Sequence, residues 1–172
     1  MNARRLTTNA VGIALFILLS YLSVELVVFK LSFASFPIIV VSLLFGCVDG
    51  MAVGGVGEFI HQLLTYGLTP TTVLWVLPAL VRGLIVGLYA QRHGFALSLK
   101  QTAVIVLISS LVVTALNTVV WYADAAIVGY PIEFTFVSIV LRFVNSIVTA
   151  AILTAVSPQA VNLIRKSGAG KR

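Results

Sequence analysis

Apolar residues fill this chain in long blocks, separated by short polar or turn-forming stretches. The blocks run roughly over 6–29, 33–47, 50–66, 72–91, 101–123 and 134–157. A helix needs about 20 mostly apolar residues to cross a hydrocarbon core of about 30 Å. The pattern therefore predicts an all-α fold, an integral membrane bundle of six transmembrane helices. The second block is short and carries Pro37, so a bent or incomplete span is expected there. The breaks Gly46-Cys47-Val48-Asp49-Gly50 and Tyr66-Gly67-Leu68-Thr69-Pro70 have turn chemistry. The fourth break carries Arg92, His93 and Lys100, and the fifth Asp124, Gly129, Pro131 and Glu133. Arg4 and Arg5 ahead of the first block raise a signal-peptide reading. That block is too long for a signal core and lacks a small-residue cleavage pattern, so it is read as the first span. One transmembrane domain over 1–166 is expected, followed by a flexible basic tail over 167–172.

Composition supports the same solvent. The chain is 60% hydrophobic and 9% charged with a mean hydropathy of +1.12, whereas a soluble domain is roughly half apolar and a quarter charged. Its 172 residues leave no room for a soluble catalytic domain beside the spans. The net charge of +6 sits at the termini and in short loops, which excludes a basic nucleic-acid face and makes these residues topology signals. With an even number of spans, Arg4, Arg5, Arg92, Lys100, Arg165, Lys166, Lys171 and Arg172 share one side, and Lys30 alone lies on the other. Positively charged segments stay inside, so both termini are predicted to be cytoplasmic, with loops one, three and five outside. The lone Cys47 excludes an internal disulfide and a multi-cysteine metal site, and reads as a small packing residue. Gly50 with Gly54, and Gly83 with Gly87, are small-xxx-small pairs suited to close helix packing.

Three ionisable residues fall inside spans: Glu58, Arg82 and Arg142. Such groups are costly in hydrocarbon and usually face a cavity or a partner. Their neighbours repeat at helical spacing. Gly54, Glu58, His61 and Thr65 form one stripe, Ser110, Thr114, Asn117 and Trp121 a second, and Ser138, Arg142, Asn145 and Thr149 a third. Turned inward, the stripes make a pocket that opens outward, lined by Glu58, His61, Trp75, Asn117, Trp121, Arg142 and Asn145. Plainer roles compete at each position. Trp75, Trp121 and Tyr122 suit an interfacial aromatic belt. Asparagine and threonine stripes also join helices by hydrogen bonds, and Glu58 can pair with Arg82 or Arg142.

Glu58-Phe59-Ile60-His61 is a Glu-x-x-His pair, but a di-iron bundle needs two such pairs and His93 lies in a basic loop on the other side. No metal site is expected. There is no HExxH helix, no G-x-S-x-G elbow and no phosphate-binding Gly-rich loop. The reading is thus not an enzyme, and a chain of this kind that imported actively would have to draw its energy from partners or from a gradient.

The motif Ala10-Val11-Gly12-Ile13-Ala14, then Phe33-Ala34-Ser35-Phe36-Pro37 with Leu44-Phe45-Gly46, and Leu116-Asn117-Thr118 leading to Val128-Gly129-Tyr130-Pro131, carry a resemblance over nearly the whole chain. In this order they resemble the S components of energy-coupling factor (ECF) vitamin transporters, especially the folate-type branch. That branch often carries an arginine in its sixth helix, where Arg142 stands. Two positions depart from the family pattern: the usual Gly-Pro after helix two is Gly46-Cys47, and the acidic position of helix three is Glu58 rather than aspartate. The resemblance implies a multi-pass protein of the bacterial cell membrane that captures a vitamin outside. It implies docking through Ala10 and Ala14 on a transmembrane coupling subunit (EcfT-like), with two cytoplasmic ATPase subunits (EcfA-like) using the ATP. No cofactor is expected on this chain itself.

For the substrate, Glu58 near His61 suits an aminated nitrogen heterocycle, with Trp75 and Trp121 on its flat faces. That favours the hydroxymethylpyrimidine precursor of thiamine or a pyridoxine-type vitamer. Arg142 suits a carboxylate, which keeps folate and pantothenate as alternatives. A gradient-driven transporter with Glu58 as proton carrier is the alternative class. On binding, loops one and three are expected to close over the pocket.

Overall fold

A computed structural model describes residues 3–22, 24–25, 30–31, 33–129, 131 and 136–167. Among these, the elements are α1 (Ala3–Tyr21), β1 (Val24–Glu25), β2 (Lys30–Leu31), α2 (Ser35–Phe45), α3 (Cys47–Tyr66), α4 (Thr72–Arg92), α5 (Leu99–Val128) and α6 (Phe136–Lys166). The α4 and α5 helices, and Val137–Lys166 of α6, are long and apolar enough to cross a membrane. Large apolar side chains such as Leu18, Leu64, Val119 and Leu163 are exposed on the outside of the bundle, as expected where the surrounding solvent is lipid.

Helix bounds depart from the hydropathy blocks in four places. The first block was expected to be one span over 6–29, but α1 closes at Tyr21, and Val24 and Glu25 pair antiparallel with Leu31 and Lys30. Nineteen helical residues already rise about 28 Å, and the block beyond them is rich in β-branched valine, which favours extended chain. The second block folds as α2, whose eleven residues rise about 16 Å, half a hydrocarbon core. Every residue from Pro37 to Phe45 is buried, which is why the segment is apolar on all sides. Pro37 sits in the first turn, where its missing N–H forfeits no helical bond.

The helix stops at Gly46, whose φ of 99° lies in the left-handed region that glycine adopts without steric cost. α5 runs further than the expected 101–123. A capping box starts it, with Gln101 N–H donating to Ser98 Oγ at 3.2 Å and Ser98 N–H donating to Gln101 Oε1 at 2.9 Å. Gly129 ends it in the left-handed conformation. α6 was expected to end near 157 but continues through Pro158 to Lys166. Transmembrane helices accept an interior proline where neighbouring groups take up the freed carbonyl. Tyr130, Glu133 and 168–172 of the expected tail lie outside the described residues.

The tightest helix contact is α3 on α4, and glycine makes it. A Cβ built on Gly83 would stand 2.4 Å from the Gly50 carbonyl carbon, and one on Gly87 would stand 2.3 Å from the Cys47 Cα. The two backbones touch directly, as small-xxx-small pairs allow. Around this pair, α2 supplies Ile38, Ile39 and Leu44 to a core completed by Val53, Val86, Val106 and Leu153.

One end of the bundle gathers the start of α1, the α2–α3 junction and the ends of α4 and α6. There the Arg5 guanidinium pairs with Asp49, with Nε donating to Oδ1 at 2.8 Å, and Asn9 donates to the same carboxylate at 2.7 Å. Nearby, Arg165 donates to the Phe95 carbonyl at 2.7 Å. The opposite end carries the turn between α3 and α4 and the far end of α5, where the Thr71 hydroxyl donates to Asp124.

Candidate functional site

Among the described residues, two cavities lie between the helices on the side away from the Arg5–Asp49 pair. The larger, about 430 Å³, is framed by Gln62 and Tyr66 of α3, Thr69 and Thr71 of the following turn, Trp75 of α4, Trp121, Asp124 and Val128 of α5, and Arg142 of α6. That volume falls in the range of about 300–1,000 Å³ typical of small-molecule sites. Its chemistry is mixed: two indoles, one carboxylate, one guanidinium and several hydroxyl and amide groups. The Arg142 guanidinium lies over the Trp121 ring, 4.4 Å from its centroid, a cation–π contact that holds both groups at the cavity wall.

The smaller cavity, about 180 Å³, is lined by polar side chains: Ser35, Arg82, Ser110, Thr114, Asn117, Arg142, Asn145, Ser146 and Thr149. Arg142 belongs to both linings. Along α5, Asn117 lies about 6 Å and Ser110 about 16 Å from the Trp121 level, and along α4 Arg82 lies about 10 Å from Trp75, at 1.5 Å per residue. The two cavities are therefore stacked along the helix axes, with the indoles at one level and Arg82 at the other. Arg82 is 7% exposed. Its Nη1 donates to Ser110 Oγ at 3.2 Å.

The polar stripes read from α5 and α6 meet here: Ser110, Thr114 and Asn117 face Arg142, Asn145 and Thr149 across the smaller cavity. Trp75, Trp121 and Arg142 share the larger one. The stripe of α3 is placed differently. Gly54 packs on the Ala79 carbonyl, His61 meets the Tyr21 ring edge-on with centroids 5.4 Å apart, and Thr65 shares a hydrogen bond of 3.1 Å with the Tyr21 hydroxyl. Glu58 lies 3.6 Å from His61 and accepts from Gln62 at 2.7 Å. Glu58 and His61 line neither cavity. The considered pairing of Glu58 with Arg82 or Arg142 gives way to this cluster within α3. Gln62 connects them, since it lines the larger cavity while donating to Glu58.

Several lining residues were absent from the expected set. Asp124 had been placed in a loop, because α5 was expected to stop at 123. In the longer helix it stands one turn beyond Trp121, on the same face. Spacing from Trp121 would have found it. Thr69 and Thr71 belong to a turn, for which periodicity carries no signal, although their place beside Pro70 marks them as turn residues. Ala10 and Ala14 lie on an exposed face of α1 shared with Val11 and Leu15, opposite the buried Gly12 and Phe16.

No curated protein matches the chain significantly. A family profile described as ECF transporter, substrate-specific component, matches residues 4–163. Because that match runs from the start of α1 into the last turn of α6, and so takes in every helix around both cavities, the chain belongs to the substrate-specific components of ECF transporters, membrane subunits that bind the substrate in vitamin-type uptake.

Proposed function

We propose that this chain crosses a bacterial cytoplasmic membrane six times with both termini inside, and captures a water-soluble vitamin or precursor from the outside in the cavity between Trp75 and Trp121. The charge distribution supports this orientation: Arg4, Arg5, Arg92, Arg165 and Lys166 collect at the end where Arg5 meets Asp49, and the larger cavity lies toward the other. The chain is read as a single transmembrane domain that binds no cofactor and performs no chemistry. Energy comes from two ATPase subunits acting through a transmembrane coupling subunit, which engages the face carrying Ala10 and Ala14.

The observation that carries the reading is the lining of the larger cavity. Two indoles, the Asp124 carboxylate and the hydroxyls of Thr69 and Thr71 share this lining and suit a flat nitrogen heterocycle. The rings supply apolar area to both faces of such a ligand, and a carboxylate accepts strongly from ring or exocyclic N–H donors. Asp124 thereby takes the part that the sequence suggested for Glu58, while Glu58 and His61 support Gln62 from behind. Hydroxymethylpyrimidine and pyridoxine-type vitamers fit this half of the site. Arg82 and Arg142 favour a second reading, in which the heterocycle also bears an acid, as folate does.

A calorimetric binding screen of the detergent-solubilised chain against water-soluble vitamins and precursors tests the proposal, with Asp124→Asn and Glu58→Gln alongside. One compound should bind tightly, Asp124→Asn should weaken it by about tenfold or more, and Glu58→Gln should weaken it less. A folded chain that binds none of them refutes the proposal. Uptake that persists without any ATPase partner points instead to a gradient-driven transporter.

A further inference from the structure

We infer that the smaller cavity is an anion subsite, and that the substrate therefore carries a carboxylate or phosphate arm reaching past Arg142 toward Arg82. The inference rests on the S-component reading above and names the chemical class of what that site takes.

Five N–H donors crown an arginine, yet among the described residues the Arg82 side chain has one hydrogen-bond partner, Ser110, at 3.2 Å. It is 7% exposed, so its remaining donors point into the cavity rather than to bulk solvent. Arg142 faces the same cavity, and its one described contact is the Trp121 ring. Among the described residues, neither guanidinium has a carboxylate in an ion pair: Asp49 is taken by Arg5, Glu58 lies beside His61, and Asp124, which shares the larger cavity with Arg142, accepts from Thr71. The rest of the lining is neutral, with Ser110, Asn117, Asn145 and Thr149 offering hydroxyl and amide groups.

Two cations without a counter-charge among the described residues of a helical bundle are costly, and such groups usually mark a substrate path. A planar guanidinium fork matches a carboxylate or phosphate in two parallel hydrogen bonds. A monoanion shared between Arg82 and Arg142 supplies the counter-charge that the described lining lacks. The stacking of the cavities then sets the shape of the ligand: a ring at the level of Trp75, and an anion up to about 10 Å deeper along α4. A neutral heterocycle would fill the upper cavity and leave both guanidinium groups unpaired.

The test compares charged and neutral partners of one scaffold by calorimetry on the intact, detergent-solubilised chain. Suitable pairs are pantothenate and panthenol, folate and its dimethyl ester, and pyridoxal 5′-phosphate and pyridoxal. The anionic member of the pair that binds should bind about thirtyfold or more tightly than its neutral partner, as for other desolvated charge pairs. Arg82→Gln should abolish that preference by weakening the anionic member far more than the neutral one, whereas Arg82→Lys should keep part of it. The comparison within the unaltered chain needs no variant to fold. Equal binding of both members, or equal weakening of both by Arg82→Gln, overturns the inference and leaves the S-component reading standing. Binding of no member of any pair, with a neutral vitamin such as hydroxymethylpyrimidine bound instead, overturns the inference alone; a folded chain that binds no vitamin at all refutes the proposed binding site as well.

Discussion

The guanidinium of Arg142 sits 4.4 Å from the centroid of the Trp121 ring, and this one pair joins the aromatic cavity to the polar one. Trp121 comes from α5 and Arg142 from α6, so the contact also holds those helices in register. Cation–π contacts of this kind contribute about 0.5–2 kcal/mol, more when desolvated. Trp121→Leu should therefore weaken vitamin binding by about tenfold or more, losing both the stacking face and the support of Arg142. Trp121→Phe should retain most of the affinity. Calorimetry with whichever vitamin the chain binds checks both; a Leu variant with unaltered affinity would remove Trp121 from the site.

Glycine at the α3–α4 contact has a purely steric role. Gly83→Ala would drive a methyl group to 2.4 Å from the Gly50 carbonyl carbon and 2.5 Å from the Met51 nitrogen, and backbone cannot swing aside. A loss of about 1–3 kcal/mol or more is expected from such overpacking. Gly55→Ala is the control, since its Cβ would meet only the movable end of Leu80. Thermal unfolding in detergent should show a markedly lower midpoint for Gly83→Ala than for Gly55→Ala.

The pair Arg5–Asp49 is asymmetric in burial. Asp49 is 2% exposed and Arg5 35%. Asp49→Ala leaves Arg5 able to turn to water but strands the buried Asn9 amide. Arg5→Ala leaves a buried carboxylate with Asn9 as its remaining side-chain donor. Stranding the buried charge is the more costly of the two. Arg5→Ala should therefore lower the unfolding midpoint further than Asp49→Ala, and Arg5→Ala with Asp49→Asn should recover part of the loss. Equal midpoints for the two single variants would mean that stranding the buried carboxylate is not the costlier loss, and a double variant whose loss is the sum of the singles would mean that the pair contributes nothing beyond its separate members.

Ala10 and Ala14 lie on the exposed side of α1, away from both cavities. If that face meets the coupling subunit, Ala10→Leu with Ala14→Leu should abolish uptake in cells that carry the full transporter. Substrate affinity of the isolated chain should stay unchanged. Lost binding together with normal assembly would place the face elsewhere in the mechanism.

Much of this protein was legible in its residues. Helix-spaced polar positions on α5 and α6 predicted which faces meet, because a polar group in an apolar helix has few tolerable places other than a cavity or a partner helix. The glycine pairs predicted close helix packing for an equally local reason, and the fold decided that α3 and α4 meet through them. Hydropathy alone, however, does not distinguish a span from a buried half-length helix or from a strand pair. So α2 and the end of α1 were decided by packing and by backbone pairing across the chain.

The same limit governs the site. Periodicity shows that Gly54, Glu58, His61 and Thr65 share a face, but not what that face meets; the tertiary structure turns it to Tyr21 and brings Gln62 to the cavity in its place. The length of α5 decides the role of Asp124, and helix length depends on capping and on the neighbours that cover the last turns. What the sequence by itself determined was solvent, helix faces and the presence of costly buried charge. Which charges stand together, and which are left without a partner of their own, follows from how the helices rotate against one another, and only packing sets that rotation.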